Sequence, residues 1–200
     1  MTKEEILELE IRRRIYAYIE KSPGLHEREL ARELQLPLST LDYHLYHLKK
    51  RNLIVPSSDG KYTRYYTSGK IGVKEKNVLA VLRQAVPRKI VLFLLLHPHS
   101  THNEICDHIA LAPSTISFHL GKLVDIQVID RVQVGRENQY VVKEPEYVSD
   151  LLITYQKSFL DDAVDRFLDT WLGMHPHHLR KKKEENNTKN DTINFLLFLF

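Results

Sequence analysis

A seven-residue segment recurs in this chain after 75 residues, and this repeat constrains the fold more strongly than any other feature. Residues 39–45 have the sequence Ser-Thr-Leu-Asp-Tyr-His-Leu, and residues 114–120 have the sequence Ser-Thr-Ile-Ser-Phe-His-Leu. Beyond these segments, residues 13–67 align with residues 88–142 without a gap. Because the two copies align without insertions, the sequence predicts one supersecondary unit that is used twice.

Each copy of the segment predicts an amphipathic helix with an apolar back and a polar front. On the first helix, Leu41, Leu45 and Leu48 recur at helical spacing, which places them on one buried stripe with His44 at its edge. The outward positions carry hydroxyl, aromatic and basic side chains, which suit the hydrogen-bonding edges of bases in a DNA major groove. The predicted DNA contacts of this helix are Ser39, Thr40, Tyr43, Tyr46, His47, Lys49, Lys50 and Arg51.

The residues around each segment predict a helix-turn-helix that is followed by a β-hairpin. In the first copy, helices are expected over about residues 2–20, 26–34 and 37–51. Two strands then flank the turn signal Asp59-Gly60, so this hairpin would form the wing of a winged helix. The second copy repeats the pattern, and a connecting helix over 75–86, closed by Pro87, joins the two.

These elements predict a mainly helical α+β protein with small hairpin wings. The expected parts are a first winged helix-turn-helix domain (1–70), a connecting helix (71–87), a second winged helix-turn-helix domain (88–143), a long C-terminal helix (144–173) and a disordered tail (174–200).

The two Ser-Thr-x-x-x-His-Leu-x-x-Leu helices with their hairpins resemble those of the tandem winged helix-turn-helix regulators of archaea. The modules of those regulators are similar to the ArsR and MarR families, and the resemblance covers residues 10–173. The chain departs from it at the cap of each helix, where Pro37 and Ala112 replace the usual Ser. The resemblance implies sequence-specific transcriptional regulation, by a homodimer on double-stranded DNA.

Charge is divided unequally between the two copies, although the whole chain carries only +3. Residues 12–67 contain 11 Lys and Arg against 6 Asp and Glu, whereas residues 88–142 contain 5 of each. The first copy is therefore expected to be the main DNA reader, with Lys61 and Arg64 of its wing on phosphates or in the minor groove. The predicted contacts of the second copy are Ser114, Thr115, Ser117, Phe118, Lys122 and Arg136.

Some interpretations stay open at this stage. Tyr43 and Phe118 lie off the buried stripe, which favours exposure and apolar contact with DNA over a place in the core. The second copy, with no net charge, could bind DNA, an effector or a partner protein. A protein-interaction scaffold is the alternative function for the whole chain, because tandem winged helices also serve in assembly complexes.

Residues 144–173 predict one long helix with a stripe of large apolar side chains. The stripe is expected to pair two protomers, and the alternative is that the helix folds back over its own wings. The predicted dimer seam consists of Leu151, Tyr155, Phe159, Leu160, Val164, Phe167, Leu168 and Trp171. In the tail, the apolar residues 193–200 have no assigned role.

Several classes of function are disfavoured by what the sequence lacks. The single cysteine, Cys106, aligns with the inward position of Ala31, and the histidines lack the spacing of a metal-binding motif. No catalytic motif or phosphate loop is present, so neither an enzyme nor a metal or other cofactor is expected. With no apolar run long enough to span a bilayer, we expect a cytoplasmic protein without membrane attachment.

Overall fold

The computed structural model describes residues 3–60, 62–159 and 161–175, with side chains from residue 9 onward. Lys61, Leu160 and residues 176–200 lie outside the described residues, as does most of the predicted disordered tail. The chain divides after Lys143 into two compact units, and both predicted winged helix-turn-helix modules belong to the first.

Three helices and a hairpin form the first module, in the predicted order. They are α1 (Lys3–Lys21), α2 (Glu27–Leu34), α3 (Leu38–Lys50), β1 (Ile54–Ser58) and β2 (Thr63–Thr67). Ile15, Ile19, Leu30 and Leu41 are fully buried in its core, because each lies on the apolar stripe of its helix. The helix-turn-helix with its hairpin is therefore confirmed.

The hairpin β1–β2, here called the first wing (residues 54–67), is antiparallel and pairs Ile54 with Thr67. Its second strand also joins the loop between α1 and α2, because Gly24 N donates to Tyr65 O at 2.9 Å. Gly24 has a φ of +82°, and a Cβ atom there would lie 3.2 Å from Tyr66 Oη. A glycine is required at this position by both its backbone conformation and the close approach of Tyr66.

The prediction that Pro87 ends a connecting helix is wrong. The connection consists of two helices, α4 (Val73–Leu82) and α5 (Ala85–Leu96), and Pro87 lies in the first turn of α5. A proline is tolerated there, because the N–H groups of a first turn have no acceptor within the helix.

The helix α4 is fastened to the first module by side-chain hydrogen bonds to backbone carbonyls. Arg83 donates through Nε and Nη2 to Pro23 O at 3.0 and 2.9 Å, and Tyr66 Oη donates to Lys76 O at 3.2 Å. Burial lowers the pKa of Arg83 to about 10, so its guanidinium stays charged at neutral pH. The start of the second module is therefore held at a defined place beside the first wing.

The second module repeats the first and adds a short strand. After α5 it contains β3 (Ser100–Thr101), α6 (His102–Ile109), α7 (Pro113–Asp125), β4 (Ile129–Val134) and β5 (Glu137–Val142). The strands form an antiparallel sheet in the order β3-β5-β4, and residues 129–142 are here called the second wing. Thr101 caps α6 in a capping box with Glu104, and this cap is not among the features predicted above.

The prediction of a single C-terminal helix over residues 144–173 is wrong, because the described part of the second unit contains three helices. They are α8 (Pro145–Thr154), α9 (Gln156–Phe159) and α10 (Asp162–Met174). The interruption is stabilised locally, because Ser158 Oγ donates to Tyr155 O at 2.6 Å and Asp161 Oδ1 accepts from Ala163 N at 2.9 Å. Asp161 is thus an N-cap that starts a new helix.

Most of the predicted dimer seam is buried within the single chain. The buried residues of the seam are Leu151, Phe159, Val164, Phe167, Leu168 and Trp171. Tyr155 is half-buried, and Leu160 lies outside the described residues. Side chains that are already buried in one protomer do not offer the exposed stripe that the prediction requires. None of the helices in the described ranges combines the length and apolarity needed to cross a membrane.

Candidate nucleic-acid interface

The front of α3 is exposed with the phase predicted from its sequence. Leu41, Leu45 and Leu48 are buried, whereas Tyr43 and Tyr46 are 46% and 55% exposed. Of the other predicted contacts, Ser39, Lys49, Lys50 and Arg51 are exposed and Thr40 and His47 are half-buried. His44 was expected at the edge of the stripe and is instead fully inside it. The helix presents a continuous polar and aromatic face with three basic residues at its C-terminal end.

An aromatic cluster on this face is flanked by a basic residue of α1. The ring of His47 lies 4.5 Å from that of Tyr43 and 5.6 Å from that of Tyr46. The guanidinium carbon of Arg12 lies 5.9 Å from the centre of the Tyr43 ring, which is within cation–π range. Arg12 was not predicted as a site residue, although the run Arg12-Arg13-Arg14 is the signal that could have identified it.

Two grooves border α3 and extend this face. One, of about 410 Å³, lies between α1 and α3. Its lining is mainly apolar, and Arg12, Arg13 and Arg51 add basic groups to it. The other, of about 590 Å³, separates α3 from the first wing and is lined by Tyr46, Lys49 and Ser57. Basic and hydroxyl side chains on both sides of an exposed helix are suited to the two phosphate strands that border a DNA groove.

The prediction that Arg64 probes a minor groove is wrong. Arg64 is only 3% exposed, and its Nε lies 2.5 Å from Asp59 Oδ2. Its Nη1 donates to Gly24 O at 2.8 Å and lies 3.9 Å from Glu29 Oε2. These partners hold the first wing against the loop between α1 and α2, so the side chain stabilises the module and does not reach solvent. Lys61, the other predicted wing residue, lies outside the described residues.

The equivalent face of the second module is more apolar. Phe118 is 63% exposed, and Val132 and Val134 of the second wing are also exposed. Ser114, Ser117, Lys122 and Arg136 are exposed, while Thr115 is half-buried. The Ser117 hydroxyl already has a partner, because its Oγ lies 2.9 Å from His102 Nε2. Only Lys122 and Arg136 provide the positive charge predicted for this face.

The histidines of the second module pack against other side chains. The ring of His108 stacks on Phe93 at 4.3 Å, and that of His97 lies 4.8 Å from the same ring. Cys106 is half-buried rather than part of the core as predicted, and its Sγ lies 3.6 Å from His102 Nδ1. Across the described part of the chain, no three or more His, Cys, Asp or Glu residues are grouped so that they could hold a metal ion.

Comparisons with known sequences match both modules. A family described as an N-terminal HTH domain matches residues 9–79, and one described as winged helix-turn-helix DNA-binding matches residues 83–130. An uncharacterized HTH-type transcriptional regulator of Methanocaldococcus jannaschii is 31% identical over 144 residues. That match covers 72% of this chain and 36% of the relative, so this chain spans about a third of the relative's length.

Among solved structures, an ArsR family transcriptional regulator aligns with this chain at 18% identity and a TM-score of 0.33. The alignment covers 42% of this chain and 87% of that one. A mutant of ZitR from Lactococcus lactis aligns at 13% identity and a TM-score of 0.31, covering 78% of this chain and 94% of that one. The first sequence match overlaps the module α1–β2 and extends into α4, and the second match includes α5 to α7 and ends at the start of β4. The chain therefore has the fold of tandem winged helix-turn-helix proteins, and its two modules are similar to an N-terminal HTH domain and to a winged helix-turn-helix DNA-binding domain.

Proposed function

We propose that this protein is a sequence-specific regulator of transcription that binds double-stranded DNA as a homodimer, mainly through its first module. The observation that carries the proposal is the exposed face of α3, where Ser39, Tyr43 and Tyr46 precede Lys49 and Lys50. The membership of both modules in helix-turn-helix families supports it. So does the description of the Methanocaldococcus relative as a transcriptional regulator.

Base recognition and phosphate binding fall to different residues in this proposal. The hydroxyl and ring groups at Ser39, Thr40 and Tyr43 contact base edges, since the start of a recognition helix enters the major groove. Lys49 and Lys50, with Arg12 and its neighbours on α1, neutralise phosphates on either side. Because phosphate contacts supply most of the non-specific affinity, the excess of basic residues in the first module makes that module the stronger binder.

The second module has a lesser part in DNA binding. Its exposed Phe118 fits an apolar contact with a thymine methyl group, and Lys122, Arg131 and Arg136 are its exposed basic residues for phosphates. The alternative of a protein-interaction scaffold is not favoured, because this module itself matches a DNA-binding family.

The homodimer is supported by symmetry alone. A two-fold dimer is the commonest soluble oligomer, and it would present two copies of α3 to successive turns of DNA. The predicted seam offers no further support, because most of its side chains are buried within one chain.

The test of the function is the salt dependence of DNA binding in matched variants. Lys49→Ala with Lys50→Ala removes two predicted phosphate contacts, and Lys122→Ala with Arg136→Ala removes their counterparts in the second module. The log–log slope of affinity against salt should become shallower by about 0.9 per lost contact. The first pair removes two contacts from each protomer, so the slope for the dimer should fall by roughly 3.6. The second pair should change the slope less.

Fluorescence anisotropy with labelled genomic fragments at several salt concentrations provides the measurement. Equal effects of the two pairs would contradict the dominant role of the first module. If the wild-type protein prefers none of the fragments and its affinity does not depend on salt, the DNA-binding function is itself wrong.

A further inference from the structure

A cleft between the two modules lies away from the exposed face of α3, although it shares Ser57 and Lys122 with the proposed DNA contacts. It has a volume of about 260 Å³ and lies where the first wing, α4 and α7 meet. The first wing contributes Ser57, Ser58 and Asp59, α4 contributes Lys76 and Asn77, and α7 contributes His119 and Lys122. Ligand sites are commonly concave and lie between domains, so this position is informative.

The walls of the cleft are apolar, and its basic side chains outnumber its acidic ones. Ala80, Val81, Leu123 and Ile126 supply the apolar lining. Of the described residues that line the cleft, Asp59 alone is acidic, and it is paired with Arg64 at 2.5 Å. Lys76 and Lys122 therefore leave an excess positive charge on opposite sides of the cleft.

His119 adds no charge to the cleft, and the two lysines lie near aromatic rings. Burial, and then Lys122, lower the pKa of His119, so the imidazole is neutral at pH 7 and adds no charge. The amine of Lys76 lies 5.6 Å from the centre of the Tyr66 ring, and that of Lys122 lies 6.0 Å from the Phe118 ring. Each lysine thus lies near an aromatic ring, and among the described lining residues the single carboxylate, that of Asp59, is paired with Arg64.

We propose that this intermodule cleft binds a small organic carboxylate with an apolar body. The carboxylate would accept hydrogen bonds from Lys76 and Lys122, and its body would contact Ala80 and Leu123. The volume lies below the roughly 300 Å³ at which drug-sized pockets begin, which limits the ligand to a few more than ten non-hydrogen atoms, approximately the size of an aromatic acid.

Occupancy of the cleft would also regulate DNA binding. This regulatory part of the proposal rests on the proposed function, whereas the binding part does not. A ligand held by Lys76 on α4 and Lys122 on α7 fixes α7 against the first wing. It also withdraws Lys122 from phosphate. Because such coupling is reciprocal, DNA would change the affinity of the ligand by the same factor by which the ligand changes the affinity of DNA.

The binding half is tested without DNA, using benzoate and phenylacetate as probes against their neutral amides. Titration calorimetry and thermal melting at constant ionic strength, with chloride as the reference anion, should show saturable binding of the acids only. Lys76→Gln and Lys122→Gln should each weaken binding by about tenfold, the ratio expected for loss of a charge-assisted hydrogen bond. Lys89→Gln, at an exposed lysine away from the cleft, should have no effect.

A second variant distinguishes loss of the binding site from unfolding of the protein. Ala80→Leu keeps a good helix former on α4 and fills the cleft, so it should abolish binding while the circular dichroism spectrum and melting temperature are retained. Absence of acid binding to the wild type at about 10 mM would overturn the proposal. So would binding that survives Ala80→Leu in the folded variant.

The regulatory half is tested by DNA affinity with and without a saturating acid. A change in the wild type that is absent in Lys76→Gln and Ala80→Leu supports coupling, and no change in the wild type contradicts it. If the protein binds none of the DNA fragments, the proposed function fails, whereas the calorimetric result for the cleft still stands on its own.

Discussion

At the scale of single residues, Arg64 illustrates how the same charge can serve DNA binding or folding. Its guanidinium is enclosed by Asp59, Gly24 O and Glu29, and these partners join the first wing to the loop before α2. Tyr43, by contrast, is held only at the surface of α3, beside His47 and Arg12. Burial, and not residue type, therefore decides which of the two is available to a ligand.

Arg64→Ala should destabilise the protein, because it removes the ion-pair partner of Asp59. Removal of one partner from a buried ion pair typically costs about 3–5 kcal/mol, and the lost bond to Gly24 O adds to this. Urea unfolding measures the effect, with the exposed Lys50→Ala as the control. Unchanged stability combined with weaker DNA binding would restore the minor-groove role that the structure argues against.

Tyr43→Ala should relax sequence preference while sparing non-specific affinity. A lost base contact costs about 1–3 kcal/mol, and the side chain is exposed, so folding is not expected to suffer. Competition binding between a selected site and random DNA measures this change. Equal weakening on both DNAs would assign Tyr43 to the sugar–phosphate backbone instead.

Acidification should destabilise the first module through His26. Burial lowers the pKa of His26 below 6.5 and Arg64 adds to this, although Glu29 opposes it. Between the folded pKa and about 6.5 the unfolded chain binds more protons, so stability is full above this range and falls as the pH drops through it. The urea midpoint at pH 7 and pH 5.5 should show the loss.

His26→Asn keeps a good N-cap residue before α2 and should flatten this pH dependence. The remaining slope would come partly from His119, whose pKa is lowered mainly by burial. An identical slope in the variant and the wild type would show that His26 does not contribute.

At the scale of elements, the two recognition helices share one phase but differ in what they expose. α3 presents tyrosines and three basic residues, whereas α7 presents Phe118 and has Lys122 at the edge of the intermodule cleft. A gapless repeat therefore conserves the buried stripe of each helix and leaves its front free to differ. The C-terminal helices have no such repeat, and their boundaries follow from local caps.

Phe167→Glu should unfold the C-terminal unit. Phe167 is 3% exposed and stacks on Trp171 at 5.6 Å, and loss of a buried phenylalanine typically costs about 3–5 kcal/mol. Trp171 is the only tryptophan of the chain, so a red shift of its fluorescence reports on this unit alone.

The matched control is Thr170→Glu, which places the same charge at an exposed position of α10 and should leave the emission unchanged. If Phe167→Glu instead separated two protomers without altering the fluorescence, the residue would belong to a dimer seam.

At the scale of the whole molecule, the proposed homodimer sets the geometry of the DNA site. Two protomers related by a two-fold axis require an inverted repeat, with half-site centres about one helical turn, roughly 34–36 Å, apart or a multiple of it. Sedimentation velocity should give a species of twice 23.5 kDa at micromolar concentration. A protein that remains monomeric at tens of micromolar, where weak homodimers already associate, would contradict the dimer.

Local patterns in the sequence were sufficient to predict both modules and the exposed face of α3. Apolar spacing sets which side of a helix is buried, and Asp59-Gly60 sets a turn, because both depend on residues close together in the chain. The tertiary structure decided what such patterns do not contain. The burial of Arg64 depends on Gly24, 40 residues away, and the cleft exists because the folded chain brings the first wing, α4 and α7 together. Contacts of this kind depend on which distant segments the fold brings together, and the periodicity of a short segment does not contain that information.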